Sequence, residues 1–421
     1  MENNAAQNCA SNGFAERLAR METAIHLGTP DQVPVALSMG VYPQSEFGSS
    51  YKDLYYNQEK GLDAYKQFLL THPLMDVQMF QIFHGKSNEL AQTQVIDWPG
   101  RPGTRVSDMS SHQVIELEVM TQEEYPELLR DYTGFMLRKY IPRVFPALKP
   151  FENLNINPSS VLGAEFLSPL FSQEMGQAYQ TLSQIGMSIG PEIGTNFKYI
   201  GMLSEMGWPG MICGASEAPY DILGDYFRGT MGIFEDLTDP DMYEYIDAVC
   251  EMFAQQQIAA LQYLRFLDVP AKRVFFPLHK AMDGFMNDQQ FERFYWKPLK
   301  KIMMALIDMD VTPYIYTEGP YETRLDYLLD VPKGKVLYHF EKVDMRNAKR
   351  KFEGTACISG NMPISLMDYG SKEDVIKTTR QLLDDCMPGG GYIFDFDGFL
   401  DNAKKENVDA LFETLDKYGK Y

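Results

Sequence analysis

Histidine is scarce in this chain, and cysteine is both scarce and scattered. Six histidines occur in 421 residues, and the five cysteines (Cys9, Cys213, Cys250, Cys357, Cys386) are odd in number, widely spaced and without a CxxC or comparable ligand pair. That argues against a disulfide framework and a thiolate-built zinc fold, so reduced, mostly buried thiols are expected. Long apolar runs are missing too. No stretch reaches eighteen residues, and "MENNAAQNCASNG" has neither the basic start nor the apolar core of a signal peptide, so the expected compartment is the cytoplasm, with no membrane association. Basic residues are a minority, 38 Lys and Arg against 58 Asp and Glu, giving a net charge of −20. A nucleic-acid partner or an anionic membrane surface is bound through clustered cations and is not expected. No nucleotide fingerprint is present, because the glycine-rich "PGGGYIFDFDG" precedes a strand instead of linking strand to helix. No Ser-His-Asp or Cys-His spacing is recognisable.

What is present suits a large folded core. Hydrophobic residues make up 45% and aromatics 13%, with 25 methionines that are expected mostly as core filling. Residues 1–14 are polar and read as a flexible tail, and 15–421 as a single domain. "FAERLARMETAIHLG" has a helical period, and "TPDQVPVALSM" reads as a turn and a first strand. A covering region with short helices, the turn-rich "DWPGRPGTR" and the strand-like "SHQVIELEVM" extends to about 150. From about 155, short apolar runs alternate with amphipathic helices. One helix opens at "TDPDMYEYIDAVCEMF", with Thr238 as its expected cap; another, "NDQQFERFYWKPLKKIMMALIDM", is capped by Asn287 and carries Phe291, Leu299, Ile302 and Leu306 along one face.

Strands joined by helices of ten to twenty residues pair in parallel, because parallel neighbours need crossover connections. The expected fold is therefore α/β, a (β/α)8 TIM barrel with an N-terminal helical extension and covering insertions. In such a barrel the polar residues ending each strand collect on the C-terminal rim, where active sites form. The strand ends are His279-Lys280, Glu318-Gly319, His339-Phe340-Glu341, Gly360-Asn361-Met362-Pro363 and Asp395-Phe396-Asp397-Gly398. Consecutive strands would set Glu318 beside His339. Such a pair suits a divalent ion, zinc accepting carboxylate and imidazole ligands, with His279, Glu341, Asp395 or Asp397 as a further ligand; it equally suits an acid/base pair or a plain hydrogen-bonded network. Arg228 reads either as an anion clamp or as a loop staple. Trp98 is either a packed turn residue or a pocket wall. Asn361 and Met362 either face a ligand or stabilise a turn.

These residues carry a resemblance. The segments "ERLARMETAIHLGTPDQVPV", "EAPYDILGDYFRGTMGI", "FPLHKAMDGFM", "YTEGPYETRLDYL", "GKVLYHFEKVDMRNAKRKFEG", "CISGNMP" and "GGGYIFDFDG" are similar to the uroporphyrinogen decarboxylase superfamily. Within it they resemble the corrinoid-dependent methyltransferases, above all the first methyltransferase component of O-demethylases. The likeness spans nearly the whole chain after the tail and implies a (β/α)8 barrel. Porphyrinogen decarboxylases bind eight carboxylates with arginines that follow the first strand, whereas no arginine lies between Arg20 and Arg101 here. Relatives that methylate coenzyme M carry zinc on a His-x-Cys pair and a later cysteine, where this chain has Tyr316, Glu318 and Gly398. O-demethylase components carry a Glu…Glu…His pattern, matched by Glu318 and His339 with twenty residues between them. The first glutamate is replaced by Met303.

The resemblance implies transfer of a methyl group from a methoxylated aromatic, or a similar methyl ether, to cob(I)alamin on a separate corrinoid protein. Zinc on Glu318 and His339 would activate the ether oxygen, Tyr316 or a protonated carboxyl would assist by donating a proton, and His279 would stand beside them. The partners are then the corrinoid protein and a small-molecule methyl donor; superfamily relatives are monomers or dimers, so a homodimer is one expected assembly. The alternative is a metal-free decarboxylase or lyase using His279 and Asp397 as acid and base. A corrinoid-delivering binding subunit is the third.

Overall fold

The computed structural model describes residues 2–155 and 163–421. Met1, the first residue of the expected tail, lies outside the described residues, and the backbone from Glu2 to Ile25 forms one helix.

Six strands pair in parallel in the order β3 (Gly214–Ala215), β4 (Arg273–Leu278), β5 (Thr312–Pro320), β6 (Leu337–Lys342), β7 (Cys357–Ser359) and β8 (Tyr392–Ile393). Two irregular segments complete the ring. The segment around 33–39 bridges Val35 to Phe394 and Met39 to Leu400, and the segment around 76–78 donates its Asp76 N–H to Val35 O and bridges Gln78 to Gly210. Eight parallel staves thus close on themselves, the (β/α)8 barrel expected from the alternation of strands and helices. The strands are rich in Val, Ile, Tyr and Phe and lie buried on both faces, as a parallel sheet covered by helices requires.

Helix caps follow sequence where local chemistry is unambiguous. Asn287 accepts from the Gln290 N–H in a capping box that opens the helical run 288–307, and Leu299, Ile302, Met303 and Leu306 are buried along its inner face. Each such side chain contributes about 1.5–3 kcal/mol on burial. Ser371 and Asp374 form the expected capping box. The expected Thr238 cap is corrected. Thr238 ends the preceding helix, its hydroxyl donating to Glu235 O at 2.8 Å, and the extended Asp239 caps instead, accepting from the Asp241 N–H at 3.0 Å.

The covering region folds as short helices Tyr42–Glu46, Tyr51–Tyr56, Gln58–Thr71 and Gly85–Ala91, with a two-residue antiparallel pair, β1 (Ile96–Asp97) and β2 (Gln113–Val114). The strand expected across 111–120 shrinks to β2. Beyond it Glu116 and Glu118 are drawn to Lys280 and Arg228, and the Val119 and Met120 N–H groups donate to Phe227 O. A helix over Gln173–Glu205, capped by Ser172, runs through Pro191 and packs its Tyr199 hydroxyl against Asp63 at 3.1 Å. No helix among the described residues is long and apolar enough to cross a membrane. Cys213, Cys250, Cys357 and Cys386 are free thiols.

Candidate functional site at the barrel mouth

Strand pairing fixes which rim residues can meet. In the β5–β6 register Tyr316 lies opposite His339, so Glu318, two residues further along β5, stands one pleat higher. The Tyr316 and His339 rings stack with centroids 3.9 Å apart and planes 4° apart, and Phe399 also stacks on Tyr316, at 5.6 Å. His339 is fully buried. Its Nδ1 lies 3.1 Å from Asp395 Oδ2 and 3.0 Å from Ser359 Oγ, and Ser359 is its register partner on β7. A carboxylate only accepts, so Nδ1 carries the proton. Asp395 also receives the Ser38 N–H at 2.5 Å, the Ser38 hydroxyl at 2.9 Å and the Phe396 N–H at 2.7 Å. His339 Nε2 and the Tyr316 hydroxyl are buried without a partner. Burial pushes the Tyr316 phenol well above its ordinary range.

Glu318 therefore meets a different histidine. Its Oε1 lies 3.6 Å from Nε2 of His279, which follows β4, while His279 Nδ1–H donates to Asp225 at 2.6 Å. Burial opposes a charge on His279, but the hydrogen bond to Asp225 and the nearby Glu318 carboxylate outweigh it and carry its pKa up to about 11. Beneath it, fully buried Asp221 accepts the backbone N–H groups of His279 and Lys280 and the Tyr295 hydroxyl. Burial raises the Asp221 pKa to about 7, against the pull of the His279 charge. Lys280 completes the cluster, 3.0 Å from Asp225 and 3.1 Å from Glu116. Asp221 and Asp225 were not singled out in the sequence. Their four-residue spacing in "YDILGDY" is the signal, since it sets both carboxylates on one helical face.

The remaining candidates are held by the protein itself. Arg228 is buried; its Nε donates to Asp236 Oδ2 at 2.7 Å, Nη2 to Asp236 Oδ1 at 3.1 Å, and Nη1 to Met120 O and Glu118. The fork is filled, which is the staple half of the two readings. Asn361 Nδ2 donates to Glu341 O and Val343 O, and Met362 is buried. Trp98 is buried in an aromatic cluster with Tyr51 and Tyr55, its Nε1–H donating to the Tyr56 hydroxyl. Asp397 is bound by Lys342 at 2.7 Å and the Ile364 N–H at 2.8 Å, so it does not pair with His279.

A cavity of about 270 Å³ opens at the mouth where the first, second and eighth staves end. Tyr51, Tyr65, Phe80, Phe83 and Phe399 form its aromatic walls, and Gln44, Gln81, Ser111, His112 and Asp401 are its polar lining, with no Lys or Arg among the described residues. Phe399 joins this cavity to the Tyr316–His339 stack. Burial lowers the His112 pKa and raises that of Asp401, the latter partly offset by the Val41 N–H.

Zinc chemistry asks for converging donors. Among the described residues no three His, Cys, Asp or Glu side chains gather as a ligand set. His339 points its anchored imidazole at Asp395, Glu318 leans on His279, and Glu341 Oε2 accepts the Gly319 N–H at 2.7 Å. Met303, where the resembled pattern has its first glutamate, is buried core. The residues as arranged do not fit the ion.

The sequence profile of the family described as Uroporphyrinogen decarboxylase (URO-D) matches residues 156–418, and the chain belongs to that family. A methyltransferase from Methanosarcina mazei shares the fold with a TM-score of 0.55 at 12% identity, over 96% of this chain and 98% of that one. At that identity the likeness is one of architecture. No curated protein matches the chain.

Proposed function

We propose that this member of the uroporphyrinogen decarboxylase family is a methyltransferase, taking a methyl group from a methoxylated aromatic and passing it to cob(I)alamin carried by a separate corrinoid protein. The observation that carries this reading is the aromatic-walled cavity at the barrel mouth, built for a flat apolar ring and lacking the cations a polycarboxylate needs. The same lack weighs against decarboxylation, as does the engagement of Asp397 by Lys342.

In the transfer, the carbon–oxygen bond of the ether breaks and its electron pair stays on oxygen, while the methyl carbon is taken by the cobalt nucleophile from outside. The protein must answer the charge growing on that oxygen. No step is routed through a metal, because the donors do not converge. Tyr316 is the candidate for that role, since its phenol stays protonated and its hydroxyl has no partner; it lies behind Phe399 of the cavity wall, so Phe399 must turn aside for the two to meet. A hydrogen bond from it strengthens as phenolate character develops. His339, locked by Asp395 and Ser359, holds the Tyr316 ring by face-to-face contact and leaves its Nε2 without a partner.

The test is to incubate the purified chain with cob(I)alamin and a panel of methoxyaromatics and to follow the absorbance of methylcobalamin. Demethylated phenol appearing in equal amount supports the proposal. A panel without turnover, in the presence of a competent corrinoid acceptor, removes it.

A further inference from the structure

We propose that the mouth cavity selects uncharged rings bearing a hydroxyl group, methoxyphenols in place of methoxybenzoates; this deepens the function proposed above and rests on the cavity being the donor site.

One buried acceptor of the lining has no donor, and a carboxyl lines the same cavity. Gln44 is 2% exposed, and its amide orientation is fixed because Nε2 donates to Gly61 O at 3.1 Å. The other end, Oε1, is buried without a partner. Asp401 lines the same cavity, with Oδ1 accepting the Val41 N–H at 3.0 Å. Its close approach is built into the chain, since a Cβ on Gly40 would stand 2.0 Å from that oxygen. Two acceptors in a low-dielectric pocket call for a donor on the ligand, and a phenolic O–H supplies one. A benzoate brings only further acceptors, leaving Gln44 Oε1 unsatisfied and setting a carboxylate in the same cavity as the Asp401 carboxyl, whose own charged form burial already disfavours.

Nothing in the lining offsets that cost. Among the described residues no Lys or Arg faces the cavity, and His112, their one lining side chain able to turn cationic, sits edge-on to Phe83 at 5.4 Å with Nδ1 buried and unpartnered. Burial lowers its pKa, which keeps the ring neutral.

The experiment is calorimetric titration of the full chain, without corrinoid, using 2-methoxyphenol, methoxybenzene and 4-methoxybenzoate. The expected order is methoxyphenol tightest, methoxybenzene weaker by about tenfold for the lost hydrogen bond, and methoxybenzoate weaker again by about tenfold or more. In Asp401→Asn the benzoate should recover at least part of that last factor. Should the variant fail to fold by circular dichroism, the three wild-type affinities decide alone. Benzoate binding as tightly as the phenol, methoxybenzene equalling the phenol, or a folded Asp401→Asn with unchanged discrimination overturns the proposal. The two readings fail separately: a ring bound in this order but never demethylated removes methyl transfer and leaves the selectivity standing, whereas turnover of benzoates does the reverse.

Discussion

Tyr316 and His339 face each other ring to ring, centroids 3.9 Å apart and planes 4° apart, at a pair of register positions on β5 and β6. The contact turns two polar aromatics into part of the barrel interior, and it leaves each with one atom unanswered, the Tyr316 hydroxyl and His339 Nε2. Buried polar atoms without partners cost stability, so their retention points to a ligand or a reaction that uses them.

Tyr316→Phe tests this directly. The substitution keeps the stack and removes an unpartnered hydroxyl, so the thermal midpoint should hold or rise slightly. Methyl transfer should fall by about 100-fold, the loss associated with deleting one hydrogen bond to a developing oxyanion. An unchanged rate by methylcobalamin absorbance would relieve Tyr316 of the role.

Asp395→Ala should be costly to the fold. Asp395 follows the last stave and accepts both the N–H and the hydroxyl of Ser38 on the first, in addition to His339 Nδ1. Removing it leaves buried donors unpaired at the seam where the barrel closes. A loss of about 3 kcal/mol or more in urea denaturation is expected. A loss under about 1 kcal/mol would mean that the seam does not depend on this carboxylate.

Much of the architecture was legible in the chain, and the limits are instructive. Asn287 and Ser371 announced their helices because capping is local chemistry. The alternation of strands and helices gave the barrel, although the first two staves hold only isolated bridges. The long helix over Gln173–Glu205 was not legible, since glycines and Pro191 punctuate it as a loop would. At the site, Glu318 and His339 lie on the adjacent strands β5 and β6, but the register partner of His339 is Tyr316, and the pairing shifts between Thr317 and Pro320 where Glu318 stands. Spacing in sequence cannot tell that Glu318 would turn to His279. The cavity is not legible in the sequence because its Asp401, Gln44 and His112 come from distant segments with no shared motif.

Zinc loading offers a sharp test of that geometry. Dialysis against zinc followed by elemental analysis should give well under one ion per chain, because Glu318 and His339 engage different partners. Near-stoichiometric zinc that disappears in both Glu318→Ala and His339→Gln would restore the pair as ligands and require Glu318 to leave His279.

The rim cluster makes a pH prediction. The His279 pKa rises from 6.5 to about 11 on folding, so the folded state binds this proton more tightly than the unfolded chain. The stabilisation is fully present below 6.5 and is lost as pH climbs through 11. Asp221, raised from 3.8 to about 7, weakens the fold as pH rises between those two values, a window below the one where His279 dominates. His279→Gln should therefore flatten the decline in stability between about pH 7 and about pH 11. Denaturation midpoints of variant and wild type falling in parallel across that range would contradict the shift.

Arg228 separates a staple from an anion clamp. The side chain is buried against Asp236, which is itself buried and also receives the Tyr125 hydroxyl at 2.6 Å. Arg228→Met would strand the Asp236 carboxylate, and the expected cost is about 3–5 kcal/mol, the penalty of one partner left charged in the interior. Arg228→Met combined with Asp236→Leu removes both charges and should regain most of that loss, because the desolvation of the pair vanishes with it. If Arg228 instead served to hold an anionic donor, the double variant would fold well but bind the ring poorly. Equal affinity for 4-methoxybenzoate in the folded double variant and the wild type is the outcome expected of a staple.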